Sequence, residues 1–198
     1  MIENSGLPFI ILRPSIVVGS SLNGYVYRMR VLYSAWRILL TGHLPRVPMD
    51  RQGYVDLVPI NFVVTASQAL SRNPKAKGKT LHLCAGSDFA TSMEVLKVAN
   101  DAFGLPMPSL APLIAGKIIC HPLIRVFLPH ELLQIVEKMR WHLPYLGTKG
   151  RIFDVLETTE LLKGEAITCP RFSSYGRKLF EFCRRSSWGK VGYVLNRN

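Results

Sequence analysis

Chemistry in a folded chain needs groups that titrate, attack or bind metal, and this sequence of 198 residues offers five histidines, four cysteines and thirteen acidic side chains. A catalytic centre would show a nucleophile beside its base, paired carboxylates or clustered ligands. Cys84, Cys120, Cys169 and Cys183 are too far apart for a CxxC zinc or redox pair. The histidines at 43, 82, 121, 130 and 142 form no HExxH, and neither GxGxxG nor GxxxxGK[ST] occurs. No catalytic residue and no metal ligand is therefore assigned. His82, alternating inside TLHLC, reads as a strand residue with a local hydrogen bond.

The elements that would have to position any site come next. Residues 9–13 (FIILR) form an apolar run between Pro8 and Pro14, as expected of a short parallel strand buried on both faces. A loop over 19–24 and a helix over 25–40 with Arg28, Arg30 and Arg37 should follow. YVDLV at 54–58 predicts a second strand, and Asn61 is placed to N-cap a helix running to about residue 71. Residues 73–79 read as a surface connection, 80–84 as a strand, and 92–103 as a helix terminated by Gly104. Strand, loop and helix in succession make an α/β unit.

Composition bounds the rest. With 48% hydrophobic and 19% charged residues the chain can bury a core, which excludes wholesale disorder. Its net charge of +12 speaks to partners rather than fold. The N-terminal apolar run is too brief for a signal peptide, and the cysteine spacing suggests no disulfide framework, so a cytoplasmic, thiol-reduced chain is expected. The most apolar later stretch, 110–128, carries Lys117, His121, Arg125 and two prolines and does not read as a membrane span. From Pro106 onward prolines interrupt a basic, mostly helical region, and residues 171–198 hold seven Lys and Arg against one acid, Glu181.

Three segments in order carry a resemblance. LPFIILRPSIVVGSSLNG (7–24), YVDLVPINFVVTASQAL (54–70) and TLHLCAGSDFATSMEVLKVANDAFG (80–104) resemble the distal part of extended short-chain dehydrogenases/reductases. YLGTKGRIFDVLETTELL and PRFSSYGRKLFEFCRR narrow the likeness toward the thioester reductase and fatty acyl-CoA reductase branch. The resemblance implies an α/β fold, the distal portion of a Rossmann-like parallel sheet with a mostly helical substrate-binding region, divided as 1–104 and 105–198. It also implies that the family's glycine-rich cofactor turn and Tyr-x-x-x-Lys lie upstream of Met1. Tyr175 and Lys178 are three apart and Tyr33 is followed by Arg37, so no catalytic residue is carried over.

What is carried over is the loop Pro14, Ser15, Ile16 and Val17, which in the family lies against the nicotinamide of NADP or NAD. On the residues alone it is a plain strand-ending turn. Asp56 matches a frequently acidic family position, and its ordinary role would be to anchor the turn before Pro59.

The implied function is NAD(P)H-dependent reduction of an acyl thioester, fatty acyl-CoA or carrier-bound, to aldehyde or alcohol, with this chain alone inactive. A sugar-nucleotide epimerase or hydroxysteroid dehydrogenase is the alternative within the superfamily, and a non-catalytic basic membrane-binding module the alternative outside it. If 113–128 is helical, Lys117, His121 and Arg125 share a face that would either rest on an anionic membrane or simply be solvated. The basic tail and Arg28, Arg30 and Arg37 would meet an acidic carrier or coenzyme A phosphates, or water. No specific nucleic-acid partner is expected. Association with an N-terminal half or with itself is expected.

Overall fold

The computed structural model describes residues 6–29, 32–40, 46–112 and 152–189. Three strand pairs are parallel: β1 (Ile11–Pro14) with β6 (Thr80–Leu83), β2 (Ile16–Val18) with β5 (Leu57–Pro59), and β3 (Arg46–Pro48) with β8 (Ser109–Ala111). A fourth pair, β4 (Tyr54–Val55) with β7 (Ala90–Thr91), is antiparallel. Among the described residues the α-helices are α1 (Leu32–Leu40), α2 (Ile60–Arg72), α3 (Ser92–Phe103), α4 (Leu156–Leu162) and α5 (Phe172–Arg185). This is the α/β, parallel-strand architecture that the sequence led one to expect.

Two apolar clusters hold it together. The smaller joins β6 to α2 and α4 through Phe62, Ala66, Leu70, Leu81, Leu83 and Leu162, with Ile10 and Leu12 packed against it. Phe62, Ala66 and Leu70 recur every four residues, so one stripe of α2 faces the strands. The larger cluster joins α1, α3 and α5, where the rings of Trp36 and Phe180 meet edge to face at 4.8 Å. The α3 helix begins where Thr91 accepts a hydrogen bond from the Glu94 amide, and it ends, as its sequence predicts, on Gly104, here at φ 67°.

Several expectations need correction. β1 is not buried on both faces: Leu12 packs inward, while Arg13 and Pro14 are exposed. The helix expected over 25–40 is described only from Leu32, because the backbone of 25–29 is irregular. There Tyr25 packs its ring edge on Phe182 at 5.5 Å and Arg28 lies over Tyr27. The strand expected over 54–58 is two strands, since Asp56 separates β4 from β5 and the chain changes partner there. Asn61 does not cap α2; Pro59 precedes the helix with no side-chain cap, and Asn61 is engaged with Ser21.

The basic tail is corrected as well. Residues 172–185 form α5, whose Tyr175, Leu179, Phe180 and Cys183 are buried in the larger cluster. Part of its charge is used internally: Arg171 pairs with Asp88 at 2.9 Å and Arg177 with Glu181 at 2.9 Å. Lys117, His121 and Arg125, with the helix expected over 113–128, lie outside the described residues, as does Arg30. Among the described residues no helix is long and apolar enough to cross a membrane.

Candidate functional site

The loop Pro14, Ser15, Ile16 and Val17 sits where two parallel pairs hand over. β1 and β6 end level, with Pro14 opposite Leu83. The Ser15 amide still donates to Leu83 O at 3.2 Å, but the Ile16 amide donates to Asp56 O at 3.2 Å, so within one residue the chain leaves β6 for β5. Successive residues of a strand direct their N–H and C=O to alternate sides. Val17 therefore turns its backbone toward the side that β6 has vacated, and the residue is 38% exposed. Pro14 beside it is exposed, Ser15 and Ile16 half-buried. In open α/β sheets this crevice, at the carboxyl ends of strands where their order switches, is where ligands bind.

Asp56 locks the handover. Its Oδ1 accepts from the Ser15 hydroxyl at 2.6 Å and from the Ala85 amide at 2.9 Å, tying the β1–β2 corner to the end of β6. The residue is 9% exposed, and Oδ2 is buried with no hydrogen-bond partner among the described residues. The Asp56 carboxylate thus anchors the β1–β2 corner and the end of β6 rather than its own turn before Pro59.

Downstream, the loop is held from three directions. The Gly19 amide donates to the Tyr33 hydroxyl of α1 at 2.8 Å, and burial pushes that phenol well above its ordinary pKa, so it stays protonated. Ser21 is clamped by Asn61 of α2: its amide donates to Oδ1 at 2.9 Å, and Asn61 Nδ2 donates to the Ser21 hydroxyl at 2.9 Å. Lys178 of α5 donates to Ser21 O at 3.4 Å. Gly24, at φ +75°, lies so close under α5 that a Cβ there would stand 2.1 Å from Lys178 O. From the same helix, buried Tyr175 donates to Leu57 O at 3.1 Å. Tyr175 and Lys178 are loop supports facing different partners.

The three described thiols, Cys84, Cys169 and Cys183, are not nucleophiles at neutral pH. Burial first, then the Asp56 carboxylate, pushes Cys84 up to about 11. Burial likewise pushes Cys169 and Cys183 up to about 12. His82 is a strand residue, as expected, and its ring lies 5.4 Å from that of Phe153. Asn61, Tyr33 and Tyr175 were missed as site supports, because their partners lie 40, 14 and 118 residues away in sequence and no local pattern marks such pairs. Tyr145 and Lys149 also escaped notice although they have the Tyr-x-x-x-Lys spacing. They follow β6, whereas the family's pair precedes the strand that β1 resembles, and they lie outside the described residues.

With this geometry in place, comparison with known proteins is informative. Residues 1–67, which contain the loop, Asp56 and Asn61, match the NAD-binding family described as Male sterility protein. Over 101 residues, 46% of this chain, the sequence is 31% identical to the nonribosomal peptide synthetase asaC of Aspergillus flavus, and spans 9% of it. The fold is similar to that of the terminal R domain from the myxalamid PKS-NRPS biosynthetic pathway, with TM-score 0.73 and 22% identity over 96% of this chain and 47% of that one. A thiolation-reductase di-domain from an archaeal non-ribosomal peptide synthetase superposes with TM-score 0.67 and 16% identity, over 92% of this chain and 37% of that one. UDP-glucose 4-epimerase from Thermotoga maritima superposes with TM-score 0.55 and 17% identity, over 93% and 48%. The chain thus spans less than half the length of each of these proteins.

Proposed function

We infer that this chain, whose sequence and fold fit the thioester reductase branch of the extended short-chain dehydrogenases/reductases, is the distal part of an NAD(P)H-dependent reductase that converts an acyl thioester to an aldehyde or alcohol. The observation that carries this reading is the handover at Ser15. It leaves the Val17 N–H and C=O directed into the switch-point crevice, a donor and an acceptor suited to a carboxamide, beside the exposed apolar surface of Pro14 and Val17. These residues fit a nicotinamide ring. A bound NADPH or NADH would supply the hydride.

The chain's own residues would then orient and support. Ser15 and Ile16, committed to Leu83 and Asp56, hold Val17 in register, so the loop is pre-ordered and little entropy is lost on binding. In the reaction the hydride adds to the acyl carbon, and the C–S electron pair leaves on sulfur, which takes up a proton, giving aldehyde and thiol. A second hydride addition, with a second proton taken up on the carbonyl oxygen, would give the alcohol. No proton donor for the second step is assigned to this chain.

The test is amide NMR of the full chain titrated with NADPH and with NADH, alongside turnover of an acyl-CoA. Shifts centred on Ser15, Ile16 and Val17, abolished in Asp56→Ala at temperatures where that variant remains folded, are the expected result. Cofactor-induced shifts that bypass the loop would overturn the assignment.

A further inference from the structure

The chain that follows β2 runs along α5 and leaves two large apolar side chains in solvent. Gly24 lies under the Lys178 backbone, Tyr25 meets Phe182 and Met29 lies against Gly189, so residues 24–29 flank the helix from its middle to beyond its C-terminal end. Val26 and Met29 pack inward on the larger cluster. Leu22 and Tyr27 do the opposite and stand 74% and 78% exposed. Cations surround them: Arg28 lies over the Tyr27 ring at 5.4 Å, and Lys178 donates to Ser21 O, next to Leu22. Arg185, seven residues on from Lys178, shares its ridge of α5, the ridge beside the loop. Among the described residues no ion pair engages Arg28, Lys178 or Arg185, and residues 19–29 contain no acid. Arg177, on the next ridge, is by contrast paired with Glu181.

We propose that this face, Leu22 and Tyr27 with Arg28, Lys178 and Arg185, docks the chain on an anionic lipid surface, the two apolar side chains entering the headgroup layer. Unpaired cations with no acid among them call for an anionic partner. Lipid satisfies the apolar side chains as well: a tyrosine ring with a polar tip suits the boundary between headgroups and acyl chains, and Leu22 can bury there. Charge and insertion act together, since either alone binds weakly, and each cation near such a surface strengthens binding about fivefold. Leu22 lies five residues beyond Val17, so a docked loop would hold the crevice within about 18 Å of the lipid. The proposal needs neither cofactor nor thioester and stands apart from the reductase reading.

The full chain is co-sedimented with phosphatidylcholine vesicles, with and without phosphatidylserine, at low and high salt. Binding confined to the phosphatidylserine vesicles and weakened by salt is the expected result. Arg28→Ala and Arg185→Ala should each lower it about fivefold. Leu22→Ser with Tyr27→Ser, at unchanged charge, should lower it about tenfold or more. Arg72→Ala, which removes one charge from α2, should leave it unchanged. All five positions apart from Leu22 and Tyr27 change only charge, and near-ultraviolet circular dichroism verifies that each variant is folded. No vesicle binding by the parent overturns the proposal. So does an equal loss in Arg72→Ala, which would make binding a matter of net charge, or binding indifferent to Leu22 and Tyr27. An acidic carrier protein bound in place of vesicles, and lost in the same variants, would assign the face to a protein and overturn the lipid assignment.

Discussion

Asp56 serves two hydrogen-bond donors with a single carboxylate oxygen, and its own carbonyl holds a third. In Asp56→Ala the Ser15 hydroxyl and the Ala85 amide would be left without their acceptor in a part-buried site. Stability should fall by about 2 to 4 kcal/mol, whereas Asp56→Asn, which keeps one acceptor oxygen, should cost less. Urea denaturation of the three proteins checks the order. Two glycines make a second matched pair. Gly24 and Gly78 share φ +75°, but a Cβ at Gly78 meets open space, while at Gly24 it meets the backbone of α5. Gly78→Ala should carry only the left-handed backbone penalty of about 1 to 2 kcal/mol. Gly24→Ala should cost clearly more, and if both melt alike the close approach of loop and helix is wrong.

At the scale of elements, α5 is what converts a strand-end turn into a braced loop. It supplies the Lys178 contact to Ser21, the surface against which Gly24 packs, and the Tyr175 hydroxyl that satisfies the buried carbonyl of Leu57. Tyr175→Phe should lose about 1 to 1.5 kcal/mol, since the ring still fills its space and only the hydrogen bond goes. A chain ending at Pro170 is a far harsher change. It strips Tyr175, Leu179, Phe180 and Cys183 from the larger core and should abolish the cooperative thermal transition seen by near-ultraviolet circular dichroism. A retained transition would mean that α5 is a detachable basic tail.

For the molecule as a whole, the buried thiols set a limit on the alkaline side. Cys183 is fully buried and its folded pKa is pushed up to about 12 from an ordinary 9.0, and Cys84 is pushed up to about 11. Both are neutral in either state below pH 9, so their burial contributes fully there. As pH rises above 9 the unfolded chain ionises while the fold does not. Stability should then drop by about 1.4 kcal/mol per pH unit for each such thiol, until the folded pKa is reached. Melting temperatures flat from pH 7 to 8.5 and falling steeply from 9 to 11 are expected, with the alkaline slope reduced in Cys183→Ala. Buried Tyr33 and Tyr175, whose phenols burial also raises, add to the loss at still higher pH.

How much of this was legible beforehand follows from the range of the interactions. The sequence by itself determined what depends on neighbours along the chain. The apolar run closed by Pro14 made a parallel strand and Gly104 ended α3, while the loop 14–17 stood out only through its resemblance to the reductase family, being on its residues alone a plain turn. It could not show that YVDLV breaks at Asp56, because the break comes from a carboxylate reaching Ser15 and Ala85, 41 and 29 residues away. Nor could it distinguish a solvated basic tail from a core helix. The residues of 172–185 are rich in both cations and aromatics, and only docking against α1 and α3 decided which face was buried. Pairing with a distant partner leaves no periodic trace in sequence, so where those partners meet was decided by tertiary packing alone.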